Sequence, residues 1–258
     1  MQWMTLFKKE MVENWRNKKW VWVPLVFILL AVMDPISNYY MADILGAVGG
    51  LPDGAVFEMP DFTPPEVVMM SLGQLSSLGV LIIVLISMGT ISGEIKNGVS
   101  ELILVKPISY TNYITAKWTA LMLLSWGALI IGMLGSWYYI NILYGEISIA
   151  DFLSTVFFYG LWLTFIVSLS IFFNTISKTP GLVAFLTILT IMVMSALTKV
   201  FQHLLEWSPN NLSSYIMQML IEGNIPSNLT GTALTTVGLS ILLLIFSIVI
   251  FRKREIAN

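Results

Sequence analysis

Long apolar runs, separated by short polar segments, dominate the pattern of residues along the chain. A helix needs about 20 apolar residues to cross a hydrocarbon core of roughly 30 Å, and five charge-free runs come close to or exceed that length. They cover residues 67–91, 118–143, 152–176, 181–198 and 232–251. The pattern therefore predicts a membrane-spanning helix in each of these runs.

A sixth apolar run, near the start of the chain, is shorter. It begins at Trp20 and loses its apolar character at Asp34 and Pro35. A helix that starts there crosses the bilayer only if it continues past both residues, so we predict a span over 20–40. The prediction is an all-α polytopic membrane protein with six transmembrane helices. It forms a single domain over 1–258, since the polar segments are too short to form another.

Composition agrees with this pattern and excludes several classes of function. Of the 258 residues, 57% are hydrophobic and 11% are charged, whereas roughly a quarter of the residues in a soluble domain are charged. The net charge of -2 provides no basic surface, so we predict no nucleic-acid partner. The chain has no cysteine, which excludes disulfides and thiolate sites, and we expect it to bind no metal.

Lysine and arginine are distributed asymmetrically between the two sides of the six predicted spans. They lie before the first span, in the polar segments after the second and fourth spans, and after the last span, whereas most acidic residues lie on the opposite side. Lys199 is the one lysine on that acidic side. Cationic segments are retained in the cytoplasm, so we expect both termini to be cytoplasmic.

The basic segment 1–19 has the pattern of an amphipathic helix. Apolar residues, with Glu10 among them, recur every three or four positions. Such a helix lies along the membrane surface with its lysines near anionic headgroups, so we expect membrane lipids as partners. No signal-peptide cleavage site follows, and we expect a retained anchor. The residues expected at the membrane interface are Trp3, Phe7, Lys8, Lys9, Trp15, Lys18 and Lys19.

The longest polar segment on the basic side follows the second span, at residues 92–112. Val99, Leu102 and Val105 stand at near-helical spacing among polar residues, and Pro107 ends the helical pattern. The spacing predicts a short amphipathic helix over 93–107. From the residues alone, two interpretations stay open: the helix transmits force from a soluble partner, or it only covers one face of the bundle.

The sequence contains no motif for ATP hydrolysis or other catalysis. A phosphate-binding loop requires a Gly-Lys pair followed by Ser or Thr, and the chain has no Gly-Lys pair. The serine at position 240 lacks the following glycine of an intramembrane serine protease. We therefore expect a protein that is not an enzyme and binds no cofactor of its own. An ATP-driven activity must then receive its energy from a partner.

The segment after the second span resembles the corresponding loop of the ABC-2 type permease family, the transmembrane subunits of ATP-binding-cassette exporters. That loop reads Ser-Gly-Glu, three residues, Gly-Thr, then Glu-Leu-Leu and Pro-Ile-Ser-Arg. Val99 and Tyr110 depart from it, at the usual threonine and arginine. The matching residues are Ser92, Gly93, Glu94, Gly98, Glu101, Leu102, Pro107, Ile108, Ser109 and Lys117.

This resemblance implies roles for two segments. The segment 1–19 corresponds to the family's connecting helix, and 93–107 corresponds to the coupling helix seated on a cytoplasmic ABC ATPase subunit. ATP and Mg²⁺ then bind to that partner, and the chain forms a homodimer, or a heterodimer with a related permease, in a bacterial cell membrane. The residues expected to contact the ATPase are Gly93, Glu94, Asn97, Gly98, Glu101, Leu102 and Pro107.

Four ionisable residues on the acidic side are candidates for a pathway or an outer gate. Asp34 and Lys199 lie near span ends, where solvation at the interface explains a charge better than a function does. His203 and Glu206, three residues apart, are expected on one face of a helix, although two ligands do not define a metal site. The outer segment 199–230, which precedes the last span, contains three of the four.

The sequence favours a permease that exports a hydrophobic or amphipathic substrate, such as a peptide, a drug or a lipid-linked molecule, since few charges lie inside the spans. Importer permeases are disfavoured because the segment 92–112 lacks their Glu-Ala-Ala motif. The alternative is a membrane-embedded sensor or assembly factor that binds a partner through its acidic outer segments without transport. Stable association with an ATPase distinguishes the two hypotheses.

Overall fold

The computed structural model describes residues 2–48, 60–98 and 108–256, and within these ranges the chain forms helices and connections but no strand. A π-helical turn, Leu75–Gly79, and a 3-10 turn, Pro209–Asn211, interrupt the α-helical pattern. The α-helices are α1 (Gln2–Arg16), α2 (Lys19–Tyr39), α3 (Met41–Val48), α4 (Pro64–Gln74), α5 (Val80–Ser87), α6 (Ser92–Lys96), α7 (Tyr110–Leu143), α8 (Ile149–Ile176), α9 (Pro180–Val200), α10 (Leu212–Glu222) and α11 (Ser227–Ile256).

Six helical units are long and apolar enough to cross a membrane, as the hydrophobic pattern predicts. Five are single helices: α2, α7, α8, α9 and α11. The second unit, Pro64–Lys96, consists of α4, the π-helical turn, α5 and α6. Helix α2 continues through Asp34 and Pro35 to Tyr39. The prediction of an all-α protein with six spans is confirmed, whereas the cytoplasmic placement of the termini stays a prediction.

Helix α8 occupies the centre of the bundle. In its most apolar stretch 83% of the residues are buried, against 22% in the corresponding stretches of α9 and α11. It contacts α5, α7, α9 and α11. Helices α9 and α11 are therefore peripheral, and they expose large apolar side chains such as Phe185 and Phe246.

Glycines allow helix α7 to pack closely against its neighbours. A Cβ atom on Gly132 of α7 would lie 2.9 Å from the carbonyl carbon and oxygen of Phe27 in α2. Similarly, a Cβ atom on Gly160 of α8 would lie 2.6 Å from the ring of Trp126 in α7. Small residues at such crossings let helices in hydrocarbon gain van der Waals contact. A side chain at Gly132 would therefore push α2 away from α7, and one at Gly160 would displace the ring of Trp126.

Hydrogen bonds between side chains also connect the central helices. Trp118 and Trp126 of α7 donate from their indole nitrogens to the hydroxyl oxygens of Ser168 and Thr164 in α8, at 3.0 and 3.2 Å. Polar groups in a membrane domain need such partners because hydrocarbon offers none. The indole groups of α7 thus fix its rotation relative to α8.

Candidate functional site

The second span is interrupted between α5 and α6, and the side chain of Asn174 from α8 lies at the interruption. Its Oδ1 accepts hydrogen bonds from the backbone N–H groups of Ile91 and Ser92, at 3.2 and 3.0 Å. Its Nδ2 donates to the carbonyl oxygens of Ser87 and Ser170, at 3.0 and 2.9 Å. Asn174 is fully buried. One amide therefore satisfies backbone groups on both sides of the break and attaches the start of α6 to α8.

Helix α6 is short because the chain turns at its end. It contains Gly93 and Glu94 and ends at Lys96. Gly98 has a φ of 72°, the left-handed conformation in which glycine commonly ends helices. The predicted helix over 93–107 is therefore interrupted at Asn97 and Gly98. Residues 99–107 lie outside the described residues, and they include three of the expected ATPase contacts, Glu101, Leu102 and Pro107.

Charged side chains from α1, α6 and α7 meet beside this turn. The ammonium group of Lys117 in α7 lies 2.8 Å from Oε1 of Glu10 in α1 and 2.9 Å from Oε1 of Glu94 in α6. The hydroxyl group of Tyr113 also donates to Glu94. The side chains of Lys117, Glu10 and Glu94 are 3%, 10% and 13% exposed. These charges have little contact with water, so each depends on its partners for stabilisation.

Lys9 of α1 adds a second cation. Its ammonium group forms ion pairs with Glu94, with Glu10 at 3.1 Å and with Glu13 at 3.4 Å. Burial alone would lower the pKa of Lys9, but the carboxylates of Glu10 and Glu94 outweigh that effect and hold the pKa above its ordinary value. We refer to the following residues together as the charge cluster: Lys9, Glu10, Glu94, Tyr113 and Lys117.

Three carboxylates of this region are close enough to bind one cation. The oxygens of Glu10, Glu13 and Glu94 lie within 4.8 Å of one another. The ammonium groups of Lys9 and Lys117 already neutralise them, and a metal ion would have to displace both. The arrangement therefore fits an ion-pair network that connects three segments, and we assign no metal to it.

The residues expected at the membrane interface fall into two groups. Some contact the protein: Trp3 donates to the hydroxyl oxygen of Thr115 at 3.1 Å, and the ring of Phe7 stacks on Trp3 with centroids 5.1 Å apart. Lys9 belongs to the charge cluster, and Lys19 donates to a carbonyl oxygen of α5 at 3.4 Å. The others are exposed, and their contact with lipid stays a prediction. They are Lys8, Trp15 and Lys18.

Two residues of this site escape prediction from the sequence, for different reasons. Asn174 lies inside an apolar run and carries no motif that marks it. Glu10 does carry a signal, because it stands among the apolar positions of an amphipathic helix. A carboxylate on such a face needs a partner when the face is buried against protein rather than lipid. That partner, Lys117, cannot be identified until α1 is placed against α7.

At the other end of the bundle, α4, α8, α9 and α10 enclose a cavity of about 640 Å³. One wall is the π-helical turn, where Ser76 forms a hydrogen bond of 3.0 Å with the hydroxyl group of Tyr159. Single π-helical turns occur frequently at functional sites. We refer to this space as the distal cavity. Residues that line it include Gly73, Ser76, Trp162, Ser195, Lys199 and Ser213.

Of the four candidate pathway residues, Lys199 is the one that lines the distal cavity. Asp34 instead accepts a hydrogen bond from Nε2 of Gln74, at 3.1 Å. His203 follows the end of α9 and lies in a turn. The expectation that His203 and Glu206 share a helix face is therefore wrong, because helix α9 ends at Val200, before either residue.

The turn segment 201–208, which contains these two residues, is held by side chains of α10 and α11 and by the residue before α10. Asn211 donates to the carbonyl oxygen of Leu205 at 2.8 Å. The carbonyl oxygen of Glu206 accepts from Tyr215 and Thr232, at 3.2 and 3.1 Å. Backbone groups that a helix would pair internally are thus paired with hydroxyl and amide groups, which explains how the chain leaves the helix here.

Comparison with known proteins covers nearly the whole chain. The family model described as ABC-2 family transporter protein matches residues 4–256, a range that includes the charge cluster and the six spans. A curated protein of Bacillus subtilis (strain 168), the uncharacterized transmembrane protein YxlG, is 28% identical over 253 residues, and the match covers 98% of each chain.

Proposed function

Because the chain belongs to the ABC-2 family of transporter proteins, membrane subunits that associate with an ATP-binding subunit, we propose that it exports a hydrophobic or amphipathic substrate. A separate ATPase binds ATP and Mg²⁺ and supplies the energy. The chain forms the pathway with a second copy or with a related permease. In this proposal both termini and the segment 93–107 face the cytoplasm of a bacterial cell.

The position of α6 is the observation that carries this proposal. Helix α6 begins the segment that resembles a coupling helix. It is attached to α8 through Asn174 and to α7 through the ion pair between Glu94 and Lys117. A displacement of the segment is therefore passed to two spanning helices through short polar contacts. A segment joined to the bundle only by flexible chain would absorb such a displacement.

In the proposed cycle, two ATPase subunits approach each other when they bind ATP, and the segment 93–107 seated on each of them moves as well. Helix α6 then shifts the adjoining ends of α7 and α8. Helix α1 follows because Glu10 shares Lys117 with Glu94. These shifts change access to the pathway, as discrete rearrangements of packed helices do in other switching proteins.

The distal cavity supports an amphipathic substrate. Its volume of about 640 Å³ lies within the range of small-molecule sites, roughly 300–1,000 Å³. The hydroxyl groups of Ser76 and Ser195 and the ammonium group of Lys199 provide polar contacts, while Trp162 provides an apolar surface. Such a lining fits a substrate that has polar and apolar parts better than it fits a fully apolar substrate.

Co-purification with the ATPase subunit tests the proposal. The chain and its ATPase are co-expressed, extracted in a mild detergent and assayed for binding and ATP hydrolysis. We expect Glu101→Lys, within the segment 93–107, to weaken the association by about tenfold or more, equivalent to roughly 1.4 kcal/mol. Glu222→Lys is the matched control, since the same charge reversal at an exposed position of α10 lies at the opposite end of the bundle.

Two results would overturn parts of this proposal. If no ATPase remains bound to the wild-type chain under gentle extraction, the chain is not the permease of such a complex. If the ATPase binds but reconstituted vesicles move no amphipathic fluorescent probe and ATP hydrolysis responds to none, the sensor or assembly-factor hypothesis gains support instead.

A further inference from the structure

A second cavity, of about 450 Å³, lies at the end of the bundle that carries α1. It is enclosed by α1, α2, α5 and α7 and extends to the start of α9. One side is polar and the other is apolar. The ion pair of Glu10 and Lys117 forms part of its lining. The other residues that the argument uses are Glu13, Asn14, Lys19, Trp22, Leu85 and Leu121. We refer to it as the proximal cavity.

The polar side contains a cation that no carboxylate approaches within ion-pair distance, although Glu13 and Glu10 lie near enough to interact with it electrostatically. Lys19, the first residue of α2, forms no ion pair with any carboxylate of residues 2–48, 60–98 and 108–253. Its ammonium group donates one long hydrogen bond, of 3.4 Å, to the carbonyl oxygen of Ile86. That oxygen lacks its helical partner because the N–H of Thr90 donates to Ser87 instead, at 3.1 Å. Two of the three N–H donors of Lys19 therefore remain for another acceptor.

A carboxylate lies on the α1 side of the same cavity. The side chain of Glu13 is 49% exposed and forms an ion pair with Lys9 at 3.4 Å. Asn14, one residue further along α1, is buried and lines the cavity as well. The proximal cavity thus presents an ammonium group on α2 and a carboxylate on α1, and a bound molecule can contact both.

The opposite side of the cavity is formed by spanning helices. Trp22 of α2 and Leu85 of α5 are 38% and 49% exposed, and Leu121 of α7 lies between the helices. All three belong to the apolar spanning helices α2, α5 and α7, whereas Glu13 and Asn14 belong to α1. A molecule that fills the cavity therefore has a polar end beside α1 and an apolar end along the spans.

We propose that the proximal cavity binds a phospholipid with a zwitterionic headgroup, from the leaflet next to α1. The lipid phosphate contacts Lys19, a primary ammonium group on the headgroup contacts Glu13, and an acyl chain lies along Trp22 and Leu85. Charge complementarity selects this class, because Lys19 binds the phosphate and Glu13 binds an ammonium group, which the uncharged glycerol end of phosphatidylglycerol does not provide. The proposal does not depend on what the protein transports.

Lipid retention tests this assignment. The purified chain is equilibrated in nanodiscs with equal amounts of phosphatidylethanolamine and phosphatidylglycerol, stripped with mild detergent, and analysed by native mass spectrometry. We expect phosphatidylethanolamine to be retained about fivefold over phosphatidylglycerol, the scale of one partly exposed charged hydrogen bond. Lys19→Gln should lower retention of both lipids, whereas Glu13→Gln should remove the preference between them. Lys8→Gln, an exposed charge on α1 outside the cavity, should change neither.

The variants keep the outcome decisive. Lys19→Arg preserves the cation and should preserve lipid retention. If Lys19→Gln loses retention while Lys19→Arg retains lipid normally, the loss is due to the missing charge and not to misfolding. Glu13→Gln changes an exposed side chain and should fold normally. The proposal is overturned if the two lipids are retained in the ratio at which they were supplied. It is also overturned if Lys19→Gln retains as much lipid as the wild-type chain. Equal competition by glycerophosphoethanolamine, which has no acyl chains, also overturns it in favour of a soluble phosphate ester.

Discussion

The two ends of the helix bundle hold their non-spanning segments by different chemistry. At the end that carries α1, the charge cluster joins α1, α6 and α7 through opposite charges that are mostly buried. At the other end, the turn segment 201–208 is held by amide and hydroxyl groups that donate to its backbone carbonyl oxygens. None of the donors in these bonds is a charged side chain.

The difference bears on what each end can do. Removing one partner from a buried charge pair leaves the other uncompensated at a cost of several kcal/mol, so the partners tend to move as a unit. A neutral hydrogen bond at an exposed site contributes about 1 kcal/mol net because water can replace it. The charge cluster is therefore suited to transmit a displacement, whereas the turn segment 201–208 is suited to rearrange beside the distal cavity.

Removing the shared cation of the charge cluster should have the largest effect. In Lys117→Ala, Glu10 and Glu94 lose their buried partner and keep only Lys9, whose side chain is 39% exposed, so the cost is expected to be about 3 kcal/mol. Hydrogen–deuterium exchange should then show loss of protection in α1 together with a lower melting temperature. The matched control is Lys96→Ala, the same change at an exposed position of α6. Equal loss in both variants would contradict a role for the cluster in holding α1.

A smaller effect is expected when a neutral contact is removed at the other end. Asn211→Ala deletes the donor to the carbonyl oxygens of Leu205 and Glu206, and water can take its place. We expect about 1–2 kcal/mol, seen as faster exchange confined to 201–208. Asn224→Ala, an exposed residue whose amide makes one bond of 3.5 Å, should leave exchange there unchanged. An effect as large as that of Lys117→Ala would remove the contrast between the two ends.

The smallest expected effect is that of pH on the attachment of Lys9. Its pKa is raised in the folded chain because Glu10 and Glu94 outweigh the effect of burial. Its contribution to stability is thus fully present below the unfolded pKa of about 10.4 and is lost as pH rises through the higher folded value. Between about pH 6 and pH 9, exchange in α1 should stay constant after correction for intrinsic rates. Progressive loss of protection in that interval would mean that Lys9 is not held as described.

The spans could be predicted because crossing a bilayer requires long apolar runs, which are local in sequence. The pattern predicts that even the short first run continues through Asp34 and Pro35, since a helix that stops there cannot cross. The turn at Gly98 was not predicted, because the apolar spacing of the following residues favours a helix. Gly98 adopts the left-handed conformation, which ends α6 there.

Contacts between residues that are far apart in the chain could not be predicted from the sequence. Glu94 was identified through its resemblance to a known loop, but its ion pair with Lys117 depends on the packing of α1, α6 and α7. Asn174 is one polar residue among many in an apolar run, and its four backbone partners become visible only in the fold. The helix assumed for His203 and Glu206 failed because side chains outside α9 pair with the backbone there.

The close approach at Gly132 also limits how the bundle can deform. Since the backbone of α2 lies against α7 with no side chain between them, relative sliding of these two helices would produce steric overlap at once. They should behave as one rigid body, to which α8 is fixed by the indole hydrogen bonds of Trp118 and Trp126. Among the spans that pack around this body, α9 keeps the most freedom to tilt, because most of its apolar side chains are exposed.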